Sequence, residues 1–187
     1  MSLDYYLKSD DTLTALVRSK GIDTWQQLTN FIQNLPYGRN SNRTDFGLVI
    51  SEMKGTCSSK HALLKSIADL NQVPDIQLVI GIYRMTQLNT PGSGSALSDN
   101  AMTYIPEAHC YLKIKGERTD LTSTQSEFEK IEKYIIEEMT ILPEQVATFK
   151  VTYHKNFIQK WLQDNDSKLD LEEIWRIRET CIMNLST

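Results

Sequence analysis

Apolar residues recur at helical spacing through the first third of the chain. Leu13, Leu16 and Val17 share one stripe, which Gly21 interrupts. Trp25, Leu28, Phe31 and Ile32 form a second stripe, and Asp23 with Gln26 three positions on makes a capping arrangement before it. That helix ends before Pro36, because the residue preceding a proline avoids the helical region. Residues 37–55 read as irregular apart from a short apolar piece at Leu48, Val49 and Ile50. A further helix starts near Thr56, carries Leu63, Leu64, Ile67 and Leu70, and closes at Pro74.

The period then changes. Residues 76–85 are apolar and β-branched around Gly81, the pattern of a buried strand. Residues 109–115 alternate, with Cys110, Leu112 and Ile114 on one face and His109, Tyr111 and Lys113 on the other. Lys115-Gly116 suits a two-residue turn, so Arg118 to Leu121 is the returning strand. Between the strands, residues 86–104 have loop composition, and the expectation is a lid over one end of the sheet. The last third returns to helix over 127–139, 155–163 and a final segment with Leu171, Ile174, Trp175, Arg178 and Ile182 on a stripe. Helices, then strands, then helices predict one α+β domain with a small antiparallel sheet. A doubly wound α/β fold fits less well, because strands and helices do not alternate regularly.

Composition leaves this picture intact and narrows the function. The 187 residues are 40% hydrophobic and 24% charged, ordinary for a globular domain. The net charge of -4 and the absence of a Lys/Arg cluster exclude nucleic acid and anionic membranes as expected partners. No run approaches the ~20 apolar residues that span a bilayer, and the N-terminus lacks a signal-peptide pattern, so a cytoplasmic location is expected. The sequon at Asn42 reads as chance in that setting. The three cysteines, Cys57, Cys110 and Cys181, form no CxxC and predict no disulfide framework.

Chemistry concentrates at Gly55-Thr56-Cys57-Ser58-Ser59-Lys60-His61. With Thr56 as cap, Cys57 lies in the first helical turn, where free N–H groups and the helix dipole favour a thiolate. A thiolate catalyst needs an imidazole, and the imidazole needs an acceptor. His154 has no evident partner. His61 lies four residues beyond Cys57 and is a rival base or half of a metal site, although zinc normally takes four ligands. His109 is the best placed. A two-residue turn pairs Ile114 with Glu117 and puts Asp120 diagonal to His109 on the same face. Cys110 alternates to the apolar face and reads as structural.

Taken together, Gly55-Thr56-Cys57, the Gly81 strand, His109 opening the next strand and Asp120 closing the one after resemble the transglutaminase-like superfamily. The resemblance covers about residues 25–123. It implies a papain-like α+β core, about residues 20–123, with the sheet packed on a central helix that starts at the cysteine. Residues 124–187 then form a helical extension. It implies a Cys57, His109, Asp120 triad and acyl transfer or hydrolysis of a peptide or glutamine amide through a thioester. An oxyanion donor would precede the cysteine, with Tyr37 the choice and Asn34 the reserve. No metal or cofactor is expected, and the partner is a peptide or protein substrate. The residues after His109 and before Asp120 depart from the family pattern, which bears on the acceptor site. The competing reading is a silent module of the same fold that binds another protein.

Overall fold

The computed structural model describes residues 4–165 and 167–185. Two short helices open it, α1 (Thr12–Arg18) and α2 (Trp25–Asn34). Thr24, not Asp23, caps α2, in a reciprocal capping box with Gln27. One turn, α3 (Leu48–Ser51), precedes the long α4 (Cys57–Leu70). The sheet follows with β1 (Ile76–Met85), the short α5 (Ala96–Asp99), β2 (Ile105–Ile114) and β3 (Glu117–Thr119). One turn of helix, α6 (Glu129–Glu132), leads to β4 (Ile135–Ile141), and α7 (Thr148–Asp164) and α8 (Leu171–Asn184) end the described chain.

All four strands are antiparallel, in the order β3-β2-β1-β4. The architecture is α+β with a small sheet, as the sequence pattern predicts. Central β1 is buried on both faces. Leu78, Ile80 and Ile82 join Cys110, Leu112 and the apolar side of α4 in one core. Val79, Tyr83 and Tyr111 join Ile158, Leu162, Ile174, Ile177 and Cys181 of α7 and α8 in another. Gly81 leaves room in β1 for the Tyr111 ring, which a Cβ there would crowd at 3.0 Å.

Three expectations need correction. Residues 127–139 are not one helix: α6 is a single turn, and Ile135–Ile141 adds β4 to the free edge of β1. Glu138 secures that edge through Arg118, Lys113 and the Tyr111 hydroxyl. The segment after residue 123 is therefore part sheet and not purely a helical extension. The helix expected over 155–163 starts earlier, at Thr148, which puts His154 in mid-helix. Residues 86–104 are not a bare loop. They form a 3-10 turn at Pro91–Ser93 and α5. Asn89 binds the carbonyl of Arg84, and Asn184 of α8 binds the carbonyl of Ser93.

Candidate active site

The helix that starts at Cys57 is set by its cap. The Thr56 side chain accepts from the Ser59 N–H, and the Ser59 hydroxyl accepts from the Thr56 N–H. Cys57 is therefore the first helical residue, with its own N–H unclaimed by the helix. A short parallel bridge between Tyr37 and Gly55 fixes the approach to this cap. Cys57 is only 7% exposed.

The hairpin has the expected register. Lys115 and Gly116 both adopt positive φ, 53° and 85°, as a primed two-residue turn requires. Ile114 pairs with Glu117 and Leu112 with Thr119. Asp120 then falls diagonal to His109, and its Oδ2 lies 2.8 Å from His109 Nε2. The second oxygen, Oδ1, accepts from the Thr122 N–H and hydroxyl. With Nε2 facing Asp120, the other ring nitrogen of His109 is the one left for the Cys57 sulfur, with which His109 hydrogen-bonds. β3 ends at Thr119, so the edge of β2 beyond Leu112 has no strand partner. The Cys110 N–H uses that freedom to donate to the Cys57 sulfur.

The charges follow from these contacts. Burial alone pushes the Cys57 thiol up, but Lys150 and His109 outweigh it and bring the pKa down to about 6. Burial disfavours the His109 cation, yet Asp120 and the Cys57 thiolate hold its pKa well above the ordinary value. Asp120 is held well below the usual carboxylate range by His109 despite its burial. At neutral pH the resting site is a thiolate–imidazolium pair backed by a carboxylate. Burial raises the pKa of Cys110 and takes Cys181 to about 11, so both remain thiols.

His61 plays a different part. Its Nδ1 lies 2.7 Å from the Cys57 carbonyl oxygen, and its Nε2 accepts the Leu121 N–H at 2.9 Å. That pair of partners defines one neutral tautomer with no nitrogen to spare. The ring pins Leu121, next to Asp120, to the start of α4. It is neither a base for Cys57 nor a metal ligand, and among the described residues no cluster of His, Cys, Asp and Glu could hold a metal ion. Lys60, fully buried, reinforces the same join by donating to the carbonyls of Leu35 and Thr122.

Tyr37 borders the same cavities as Cys57, and burial, then the nearby Cys57 charge, raises its pKa well above the ordinary value. Asn34 turns its amide back onto the Asn30 carbonyl. The cleft in front of Cys57, His109 and Asp120 has a volume of about 1090 Å³. Residues 89–92 and the end of α8 form part of its rim.

The C-terminal helices supply groups that local sequence pattern did not reveal. Lys150 of α7 donates to the Ser58 hydroxyl at 2.7 Å and lies 3.9 Å from the Cys57 sulfur. Ser58 in turn lies 3.7 Å from the Cys110 sulfur. Arg178 of α8 clamps the buried Glu107 of β2 through two bonds of 2.7 and 2.8 Å. Glu107 stays ionised despite its burial, with a pKa of about 2, because Arg178 faces it. Comparison with protein-family models, with curated proteins and with solved structures yields no match.

Proposed function

We propose that this chain is a thiol enzyme of the transglutaminase-like kind, built on a papain-like core, which opens an amide through a Cys57 thioester. The observation that carries the reading is the line from Cys57 through His109 to Asp120, with the His109–Asp120 contact at 2.8 Å. His109 holds Cys57 as a thiolate, and Asp120 fixes the ring and supports its positive charge.

The thiolate attacks the amide carbonyl carbon. The resulting oxyanion meets the free Cys57 N–H at the start of α4. The Tyr37 hydroxyl is the second donor, and its raised pKa keeps it protonated for that task. As the C–N bond breaks, the leaving nitrogen takes the proton of the His109 imidazolium. The thioester is then opened by water or by an amine, whose proton returns to His109. The substrate is a peptide or a glutamine amide.

Alkylation of Cys57 across pH tests this. Wild type should show a thiolate inflection near 6, and His109→Ala should move it up toward the ordinary cysteine range. An inflection near the usual ~8.5 in both proteins would refute the reading. Screening peptides and glutamine amides, with water or an amine as acceptor, then separates hydrolysis from transfer.

A further inference from the structure

Cys57 lines two cavities. The large cleft holds His109 and Asp120. A second, smaller one of about 80 Å³ is lined by Cys57 and Ser58 together with residues of α7 and α8. Tyr37 borders both, and the mechanism above uses none of the lysine, arginine or glutamate side chains of the smaller one.

We propose that this second cavity is an anion subsite, and that the amide opened at Cys57 carries a carboxylate on a short aliphatic stem beside the scissile bond. The proposal rests on the thiol-enzyme reading and narrows its substrate.

Charge is the first argument. Lys150, Arg39, Arg43 and Arg178 line the cavity, and Glu107 is the one carboxylate among the described lining residues. Glu107 is already held by Arg178. Glu179, just outside, pairs with Arg39 and Arg178. Two carboxylates thus face four cations. Arg43, exposed at the edge, makes no ion pair among the described residues. The Cys57–His109 pair is neutral as a unit, and Asp120 behind it lines the large cleft and faces His109 and Lys60, so neither uses up the surplus. Positive charge gathered at a partly buried cavity is stabilised by an anion brought into it.

Size and lining are the second. A buried water needs roughly 10–15 Å³ of such space, so the cavity takes a group of about five non-hydrogen atoms, the scale of a propionate. Val146, Val151, Trp175 and Ile182 supply apolar wall for the stem. His154 adds no charge: burial lowers its pKa, and its Nε2 is committed to the Pro106 carbonyl.

Iodoacetate and iodoacetamide test the subsite, because they alkylate the same sulfur and differ in carrying a carboxylate or an amide. Cys57→Ala provides the blank. The iodoacetate-to-iodoacetamide rate ratio at Cys57 should exceed that of glutathione at the same pH by about tenfold. Arg43→Gln, at an exposed position, and Arg39→Gln should each lower that ratio. A glutathione-like ratio, unmoved by either substitution, overturns the subsite while fast iodoacetamide labelling leaves the thiol enzyme standing. Iodoacetamide labelling no faster than that of glutathione at mildly acid pH overturns both. Protection against iodoacetamide then identifies the source of the carboxylate. N-acetylglutamic acid α-amide offers a side-chain carboxylate, N-acetylalanine a chain-terminal one, and N-acetylnorvaline α-amide none. Protection by either acid above the uncharged amide supports the subsite and assigns the source. Equal protection by all three, or by none, overturns it.

Discussion

The Lys150 Nζ lies 3.9 Å from the Cys57 sulfur although 93 positions separate the two residues. Both are buried, so their attraction is weakly screened. Lys150 gives the largest single attraction opposing the effect of burial on the thiol, and His109 adds both a charge and a hydrogen bond. Lys150→Met keeps much of the side-chain volume and removes the charge. The Cys57 alkylation profile should then shift upward from about 6 by about one pH unit or more, a tenfold loss of thiolate at the lower pH. An unchanged inflection would mean that His109 and the helix terminus suffice.

His61 predicts an acid sensitivity separate from the Cys57–His109 pair. Burial pushes its pKa down to about 4, against an ordinary 6.5. Between those values the unfolded chain binds a proton that the folded chain refuses. Stability should therefore fall as pH drops from 6.5 to 4, by about 3 kcal/mol from this ring. Cys57 and His109 do not mask the effect. Their proton moves within the pair, and their opposed contributions lie mainly above this window. His154, also lowered by burial, acts in the same direction. Urea unfolding at several pH values should show a shallower slope in His61→Gln than in wild type, whatever the absolute stability of the variant.

Where rules are local, the site was readable in the sequence. Thr56 before an apolar stripe marks a cap, and Lys115-Gly116 between alternating segments marks a primed turn. Together they place Cys57 and align Asp120 with His109. Lys150 was not readable, because only tertiary packing brings α7 against the start of α4. A trace existed: Lys150, His154, Ile158 and Leu162 recur every four residues and are all buried. A lysine and a histidine on an otherwise apolar stripe signal a buried polar site. The miss at β4 has another cause. Phe128, Ile131, Tyr134 and Ile135 fit helical spacing, while Ile135, Ile136, Thr140 and Ile141 suit a strand. The free edge of β1 decides between them, and strand preference depends on such context.

Arg178 and Glu107 join α8 to β2 through a buried pair, with side chains 12% and 6% exposed. Removing one partner strands a buried charge. Arg178→Met should cost about 3–5 kcal/mol in urea unfolding, whereas replacing both, with Glu107→Leu added, should recover much of the loss. If the double variant is as unstable as the single, the pair is not what the single change disrupts.

Gly81 links the sheet to the orientation of the His109 ring. It sits directly opposite His109 in the β1–β2 register. The Tyr111 ring lies over it, 3.0 Å from where a Cβ would stand, and also stacks on His109 with centroids 6.2 Å apart. The Tyr111 hydroxyl is tied to Glu138, which limits how far the ring can retreat. Gly81→Ala should therefore cost about 1–3 kcal/mol of stability by overpacking. It should also slow Cys57 alkylation by disturbing the ring that stacks on His109. In a Tyr111→Leu background the same alanine should cost less, since the smaller side chain leaves it room. Equal costs in the two backgrounds, read from matched unfolding curves, would show that the tyrosine is not the reason for the glycine.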